Sequence, residues 1–403
     1  GGGRTQLYAK YFNMTNSEAY HNICDLYGIE KDYRSIDVDE PTKEEPKRDV
    51  REIDYVYRAL LSILTLSDEH KKNLRKRGLN DAAIQKHQYR SVPVTGVDNI
   101  VKTLLSYNMD LKGVPGFYML DGKWKVNFTP ALAGILIPVM SREGYIQGFQ
   151  IRLNKPIRDS KYMWFSSQGK ECGSSPGSPV HFIGDDPLAK TVVLTEGCLK
   201  ANVAHELSKY LMNKPMTFVA IAGCGQFNST KKALSSLKEY GCELVYDGFD
   251  MDKFKNPNVY RAMAKNFDIA HEVGIRMEVY RWNAIEIYGN FKQNTPYKVL
   301  INDKDYAFYS TYTNHKREFF DEFFADEKTG RLIIPEPILN PLHPHEDVNC
   351  KLIDVETGDY SEFKMNVDAS INHCQDYTVW QKKGIDDYFY SLVRLKNKQQ
   401  RKN

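Results

Sequence analysis

The chain has seven cysteines, at positions 24, 172, 198, 224, 242, 350 and 374, and no two of them form a Cys-x-x-Cys pair. That spacing argues against a zinc ribbon and a disulfide framework, and it points to a reducing compartment, the cytoplasm. There is no Gly-x-x-x-x-Gly-Lys-Ser/Thr phosphate loop, so the chain carries no helicase motor of its own. No uninterrupted apolar run is long enough to cross a bilayer, so no membrane partner is expected. The opening stretch GGGRTQLYAKYF lacks the apolar core of a secretory signal, and its three glycines read as a cut linker, with the natural chain beginning earlier. An excess of one charge is also missing. With 55 Lys and Arg against 52 Asp and Glu, the net charge is +3, and any polyanion site must come from local clustering. There is no internal repeat and no long low-complexity segment.

What is present changes character along the chain. In residues 1–50, SEAYHNICDLYGI reads as a short amphipathic helix and DVDEPTKEEPKRDV as a charged linker. Residues 51–90 have helical spacing, with Ser67 and Asn80 as N-caps and Gly78 as a stop. GILIPVMSREGYIQGFQIRLN predicts two strands around a polar turn. From Lys190 the rhythm becomes strand, helix, strand. TVVLTEG, MTFVAIAGCG, CELVYDGFD and IRMEVYRWN are strands, and the segments between them are helices. Pro257 falls in the first turn of the last helix and Gly274 follows its end. This is the pattern of a mostly parallel sheet covered by helices. The expected organisation is a tail and linker at 1–50, a basic helical and strand-rich subdomain at 51–187, an α/β domain at 188–283, a β-rich insertion at 284–375 and a C-terminal return with a basic tail at 376–403.

In an open parallel sheet, ligands bind beyond the carboxyl ends of the strands. Glu196 ends the first strand of the run. Asp250 and Asp252 follow the third, with alternate spacing that lets them share a face. Three converging carboxylates without evident counter-charges repel one another, and a divalent cation relieves that repulsion. Mg²⁺ or Mn²⁺ suits oxygen donors and serves phosphoryl or nucleotidyl transfer. The plainer reading is that the acids merely cap the next helix. Lys200, one turn after Glu196, either meets a phosphate or pairs with Glu196. Arg75, Lys76 and Arg77 either touch phosphate or face water. His343, His345, Cys350, His373 and Cys374 have no regular zinc spacing.

These residues carry a resemblance. VVLTEGCLKA, FVAIAGCG and VYDGFDMDKFKNPNV together are similar to a Toprim domain, the catalytic fold shared by bacterial-type primases, topoisomerases and some nucleases. The Lys four residues after the Glu, together with FDMDKFKNPNV and the late KGIDDYF, resembles the Toprim-like primase domains of plasmids, phages and integrative elements, often found with a helicase. The segment preceding TVVLTEG is similar to the basic subdomain of the bacterial replicative primase. The resemblance implies metal binding by Glu196, Asp250 and Asp252, with Asp386 and Asp387 joining that surface and Lys200 beside it. It also implies a template groove carrying Arg152, Lys155, Arg158, Lys161 and Lys170. Read from the residues alone, the run 152–170 is either a solvated basic face or a surface whose Tyr162, Trp164 and Phe165 stack on single-stranded bases, and a metal site beside it favours stacking. Implied partners are a single-stranded DNA template, nucleoside triphosphates and a replicative helicase.

The chain departs from the family pattern in several places. Lys253-Phe254-Lys255 stands where Gly usually follows the acids, and Asp247 is an additional acid. Residues 284–375 separate the sheet from KGIDDYF, and the usual zinc-binding module has no cysteines here. The implied function is primer synthesis. A nuclease using the same metals and a non-catalytic nucleic-acid-binding module stand as alternatives. A topoisomerase needs a nucleophilic tyrosine, and no tyrosine is singled out.

Overall fold

Helix α1 (Val50–Ile63) starts where Asp49 caps it, its carboxylate accepting from the amide of Arg51 at 2.9 Å. Ile53, Val56, Tyr57, Leu60 and Leu61 recur at three- and four-residue spacing, and all are buried. Helix α2 (Asp68–Lys76) is capped by Ser67 and α3 (Asp81–Lys86) by Asn80, as the sequence predicts. The computed structural model describes residues 45–157, 160–254, 257–280, 351–365 and 382–400, Trp282, three isolated positions before residue 45 and the backbone of strands between 284 and 380. The helix expected in SEAYHNICDLYGI and most of the linker lie outside the described residues. Glu45–Asp49 do not behave as a free linker. Glu45 N donates to Gly173 O at 2.9 Å and Arg48 N to Gly113 O at 3.2 Å, so this stretch is strapped to the body.

The next elements are β1 (Arg90–Ser91), α4 (Val97–Ser106), the hairpin β2 (Phe117–Leu120) and β3 (Lys123–Val126), then β4 (Gly134–Met140), β5 (Ile146–Ile157) and β6 (Ser160–Trp164). β1, β4, β5 and β6 form an antiparallel sheet in that order. β4 is apolar almost throughout because both its faces are covered. Leu136 joins Phe149, Ile151 and Phe165 in a core under α1 and α4, while Ile135, Ile137 and Val139 point to a second core.

That second core is shared with an α/β layer. β7 (His181–Ile183), β8 (Thr191–Glu196), α5 (Cys198–Leu211), β9 (Thr217–Ile221), α6 (Phe227–Glu239), β10 (Leu244–Asp247), α7 (Pro257–Val273) and β11 (Arg276–Val279) follow in order. The sheet order is β11-β10-β8-β9-β7, parallel except for β7, which runs against β9. The mixed α/β sheet flanked by helices agrees with the sequence pattern. Helix α5 is buried from Cys198 through Ser208 apart from Lys200, because β4 covers one side and the parallel sheet the other. His181 ties the two layers. The amide of Met140 donates to its Nδ1 at 3.0 Å, and its Nε2–H donates to Asn202 Oδ1 at 2.8 Å.

Between 284 and 380 the chain forms antiparallel strands. Ala284–Ile287 pairs with Leu332–Pro335 and Tyr377–Trp380, and Pro296–Ile301 pairs with Val348–Asp354. Helix α8 (Ile385–Gln400) then returns, burying Ile385 and Phe389 among Leu199, Val203 and Leu207 of α5. Among the described residues no helix is long and apolar enough to cross a membrane.

Candidate active site

β8 and β10 are neighbours, with Asp247 level with Leu194, so β8 runs on to Glu196 just as β10 stops. The chain leaving β10 is drawn back over β8. Gly248 N donates to Leu194 O at 2.8 Å, and Thr195 Oγ1 donates to Gly248 O at 2.9 Å. A Cβ on Gly248 would lie 2.4 Å from Val193 Cγ1, which is why glycine stands there. Glu196 is followed by Gly197 at φ 80, a left-handed turn residue, and α5 begins at once. This geometry sets Asp250 beside Glu196 with Lys200 between them. The Lys200 ammonium lies 3.3 Å from Glu196 Oε1 and is ion-paired with Asp250 Oδ1.

A second lysine closes the other side. Lys383 Nζ is 2.9 Å from Asp252 Oδ2 and 3.9 Å from Asp250 Oδ2. It is held there by the backbone, since Met251 N donates to Lys383 O at 2.9 Å. The same return sets Asp386 in the first turn of α8, where it is buried and 3.6 Å from Arg77 Nη1. Asp387 is exposed. Residues 284–375 therefore do not keep the late acids away from the sheet.

The charges interact strongly. Burial, and then the neighbouring Asp250, push the Glu196 carboxyl above the usual range against the pull of Lys200. Burial works against the charge on Lys200, yet Glu196 and Asp250 outweigh it and raise its pKa. Asp386 is pushed up to about 6 by burial and by Asp387, with Lys200 and Arg77 opposing. The carboxylates are thus not free of counter-charges, contrary to the expectation from sequence. They demand a cation, and two ammonium groups supply it.

The donor chemistry fits a hard divalent ion, since Glu196, Asp250 and Asp252 offer oxygens at one sheet edge. As the side chains stand, however, no group of three or more His, Cys, Asp or Glu among the described residues is set to hold a metal, because Lys200 separates Glu196 from Asp250. Asp247 belongs elsewhere. It is fully buried, 3.2 Å from the equally buried Lys253, and its Oδ1 accepts from Phe249 N at 3.1 Å. It is a structural acid.

The basic segment divides. Arg152 on β5 faces Tyr162 on β6 and donates to Asn73 Oδ1 at 3.1 Å. Lys155 and Lys161 are exposed on the same two strands. Arg158 lies outside the described residues. Lys170 is turned to the β2–β3 hairpin, donating to Asn127 Oδ1 at 3.0 Å and sitting 3.9 Å above the Tyr118 ring. The aromatics correct the stacking expectation. Phe165 is fully buried against Phe117, Phe128 and Phe149, and Tyr162 and Trp164 pack partly against the second core. Tyr162 does lie within electrostatic reach of Arg77, Arg152, Asp386 and Lys200, which brings β5–β6 toward the acidic cluster. Sequence reasoning missed Lys383. The pair Lys382-Lys383 just ahead of the late acids was its signal.

No protein-family model matches the chain, and no curated protein matches it. Among solved structures it is similar to the zinc-binding and RNA polymerase domains of the Aquifex aeolicus primase, at 16% identity and a TM-score of 0.42 over 69% of this chain. It is similar to a DnaG primase catalytic domain bound to single-stranded DNA, at 17% identity and 0.40, over 57% of this chain and 72% of that one. It is similar to the E. coli primase catalytic core at 16% and 0.38, over 57% and 71%. The chain spans 63% of the length of the Aquifex chain.

Proposed function

We propose that the protein is a Toprim-type DNA primase of a mobile element, joining nucleotides into primers on single-stranded DNA. The observation that carries this reading is the meeting of Glu196, Asp250 and Asp252 at the carboxyl edge of β8 and β10, with Lys200 bridging the first two and Lys383 the last two. Glu196, Asp250 and Asp252 would hold Mg²⁺ or Mn²⁺, with Asp386 and Asp387 alongside. The ion, when bound, neutralises the charge that builds on a phosphoryl group under attack.

The remaining roles fall to the chain's own side chains. Burial works against the charge on Lys200 while Glu196 and Asp250 favour its ammonium form, and the same ammonium, turned from those carboxylates, would meet triphosphate oxygens. Lys383 fixes Asp252, and Arg77 holds Asp386. Arg152, Lys155 and Lys161 supply phosphate contacts for the template, and these weaken as salt rises. Incubation with single-stranded DNA, labelled ribo- or deoxyribonucleotides and Mg²⁺ or Mn²⁺ tests the reading. New oligomers support it. Shortened template in the absence of nucleotides would point to a nuclease instead, and nucleic-acid binding without any product to a non-catalytic module.

A further inference from the structure

A concave site separate from the acidic cluster lies where the antiparallel sheet meets α6. It is a cavity of about 480 Å³, walled by the strap at Lys47, the turn between β4 and β5, the loop around Pro176–Val180, and α6. That volume is in the range of small-molecule sites, roughly 300–1,000 Å³. Three cations face it. Lys47 Nζ donates to Pro176 O at 2.8 Å and Gln147 O at 3.2 Å, using two of its three protons. Arg142 is clamped between rings, its Cζ 5.0 Å from the Phe182 centroid and 4.2 Å from that of Tyr240. Its Nη1 donates to Pro187 O, but its buried Nε has no hydrogen-bond partner among the described residues. Lys232, exposed on α6, has no carboxylate partner among the described residues.

One carboxylate shares the cavity. Glu143 is occupied: hydrogen bonds from Ser141, from its own backbone amide and, at 3.3 Å, from the Tyr240 hydroxyl hold it below the usual carboxylate range. Three cations against one engaged acid leave an unbalanced positive lining. The repulsion registers on Lys47, whose pKa is lowered by burial and then by Lys232. The floor is apolar, built from Phe182, Val219 and Leu237. Ser178, at φ 50, holds a strained left-handed backbone on the rim, as ligand clamps often do.

We propose that this cavity binds a phosphate-bearing mononucleotide, with its phosphates on Lys47, Arg142 and Lys232 and its base against the Phe182–Val219–Leu237 floor. The site is separate from the acidic cluster and stands or falls independently of the primase reading. Because it joins elements of both sheets, an occupant stabilises their docking.

Calorimetric titration of the full chain with ADP, pyrophosphate and adenosine in EDTA tests it, with melting temperature as a second readout. The expected result is saturable one-to-one binding of ADP that raises the melting temperature. Lys232→Glu weakens it at least about tenfold without altering the melting temperature of the free protein, Asp250→Asn leaves it intact, and adenosine does not bind. Absence of binding at millimolar ADP overturns the proposal. So does ADP binding that survives Lys232→Glu, or binding abolished in Asp250→Asn, which would place the nucleotide at the acidic cluster. Pyrophosphate binding as tightly as ADP overturns the base contact, and tighter Lys232-dependent binding of a short oligonucleotide would make the cavity a strand site instead.

Discussion

The amide of Met251 donates to the carbonyl oxygen of Lys383 at 2.9 Å, and this one backbone bond joins the two ends of the candidate site. It brings Lys383 onto Asp252 and lays the start of α8 beside Lys200. The acids of β8 and β10 and those of α8 therefore form one electrostatic unit, although a long run of antiparallel strands separates them in sequence.

Lys200 fills the place of a cation between Glu196 and Asp250. Lys200→Met leaves those two carboxyls facing each other with only the more distant Lys383, 3.9 Å from Asp250 Oδ2, as counter-charge. In EDTA the variant melts below the wild type. Millimolar Mg²⁺ raises its melting temperature by more than it raises that of the wild type, where the ammonium must first be displaced. Scanning calorimetry with and without Mg²⁺ checks this, and equal shifts in the two proteins would contradict it.

Asp247 and Lys253 are a pair buried from all solvent. Lys253→Met alone strands a carboxylate in the interior and costs about 3–5 kcal/mol of stability. The double variant Asp247→Asn, Lys253→Met recovers most of that loss. Denaturant unfolding of the wild type, Asp247→Asn, Lys253→Met and the double variant gives the coupling directly.

Much of this was legible from residue order. Ser67, Asn80 and Gly274 end or begin elements through local backbone chemistry, so the helix limits can be read from the chain. Glu196 and Asp250 could be found because strand ends are where a parallel sheet exposes its ligands. What escaped is tertiary. KYMWF has the same alternation whether its aromatics stack on bases or fill a core, and only the covering of β5–β6 by α1 and α5 decides that Phe165 is inside. Lys383 was hidden because its approach depends on the path of the strands before it. The 45–49 strap looked like a linker because its bonds to Gly113 and Gly173 use backbone groups, which leave no compositional trace.

His181 makes stability depend on pH. Burial lowers its pKa from 6.5 to about 4, so protonation favours the unfolded chain. Its contribution is whole above pH 6.5 and is lost as the pH falls toward 4, up to about 3 kcal/mol. The stability gap between wild type and His181→Gln is therefore largest near pH 7.5 and narrows by about 2 kcal/mol at pH 5. Urea titrations at the two pH values test this, and a constant gap would remove His181 from the account.

Template binding separates charge from packing. Replacing Arg152 and Lys161 by Ala lowers the salt dependence of single-stranded DNA affinity, by about 0.7 in slope for each phosphate no longer neutralised. Phe165→Ala leaves that slope unchanged while costing about 3–5 kcal/mol of stability, because its ring is core. Fluorescence anisotropy across a salt series distinguishes the two.

Primer synthesis on single-stranded DNA by Asp250→Asn and Asp252→Asn, against wild type and with melting temperatures in hand, tests the central claim most directly. The account predicts labelled oligomers from the wild type in Mg²⁺ or Mn²⁺ and a loss of at least about a hundredfold in each variant, with the fold intact. Oligomers made equally well by both folded variants would contradict it.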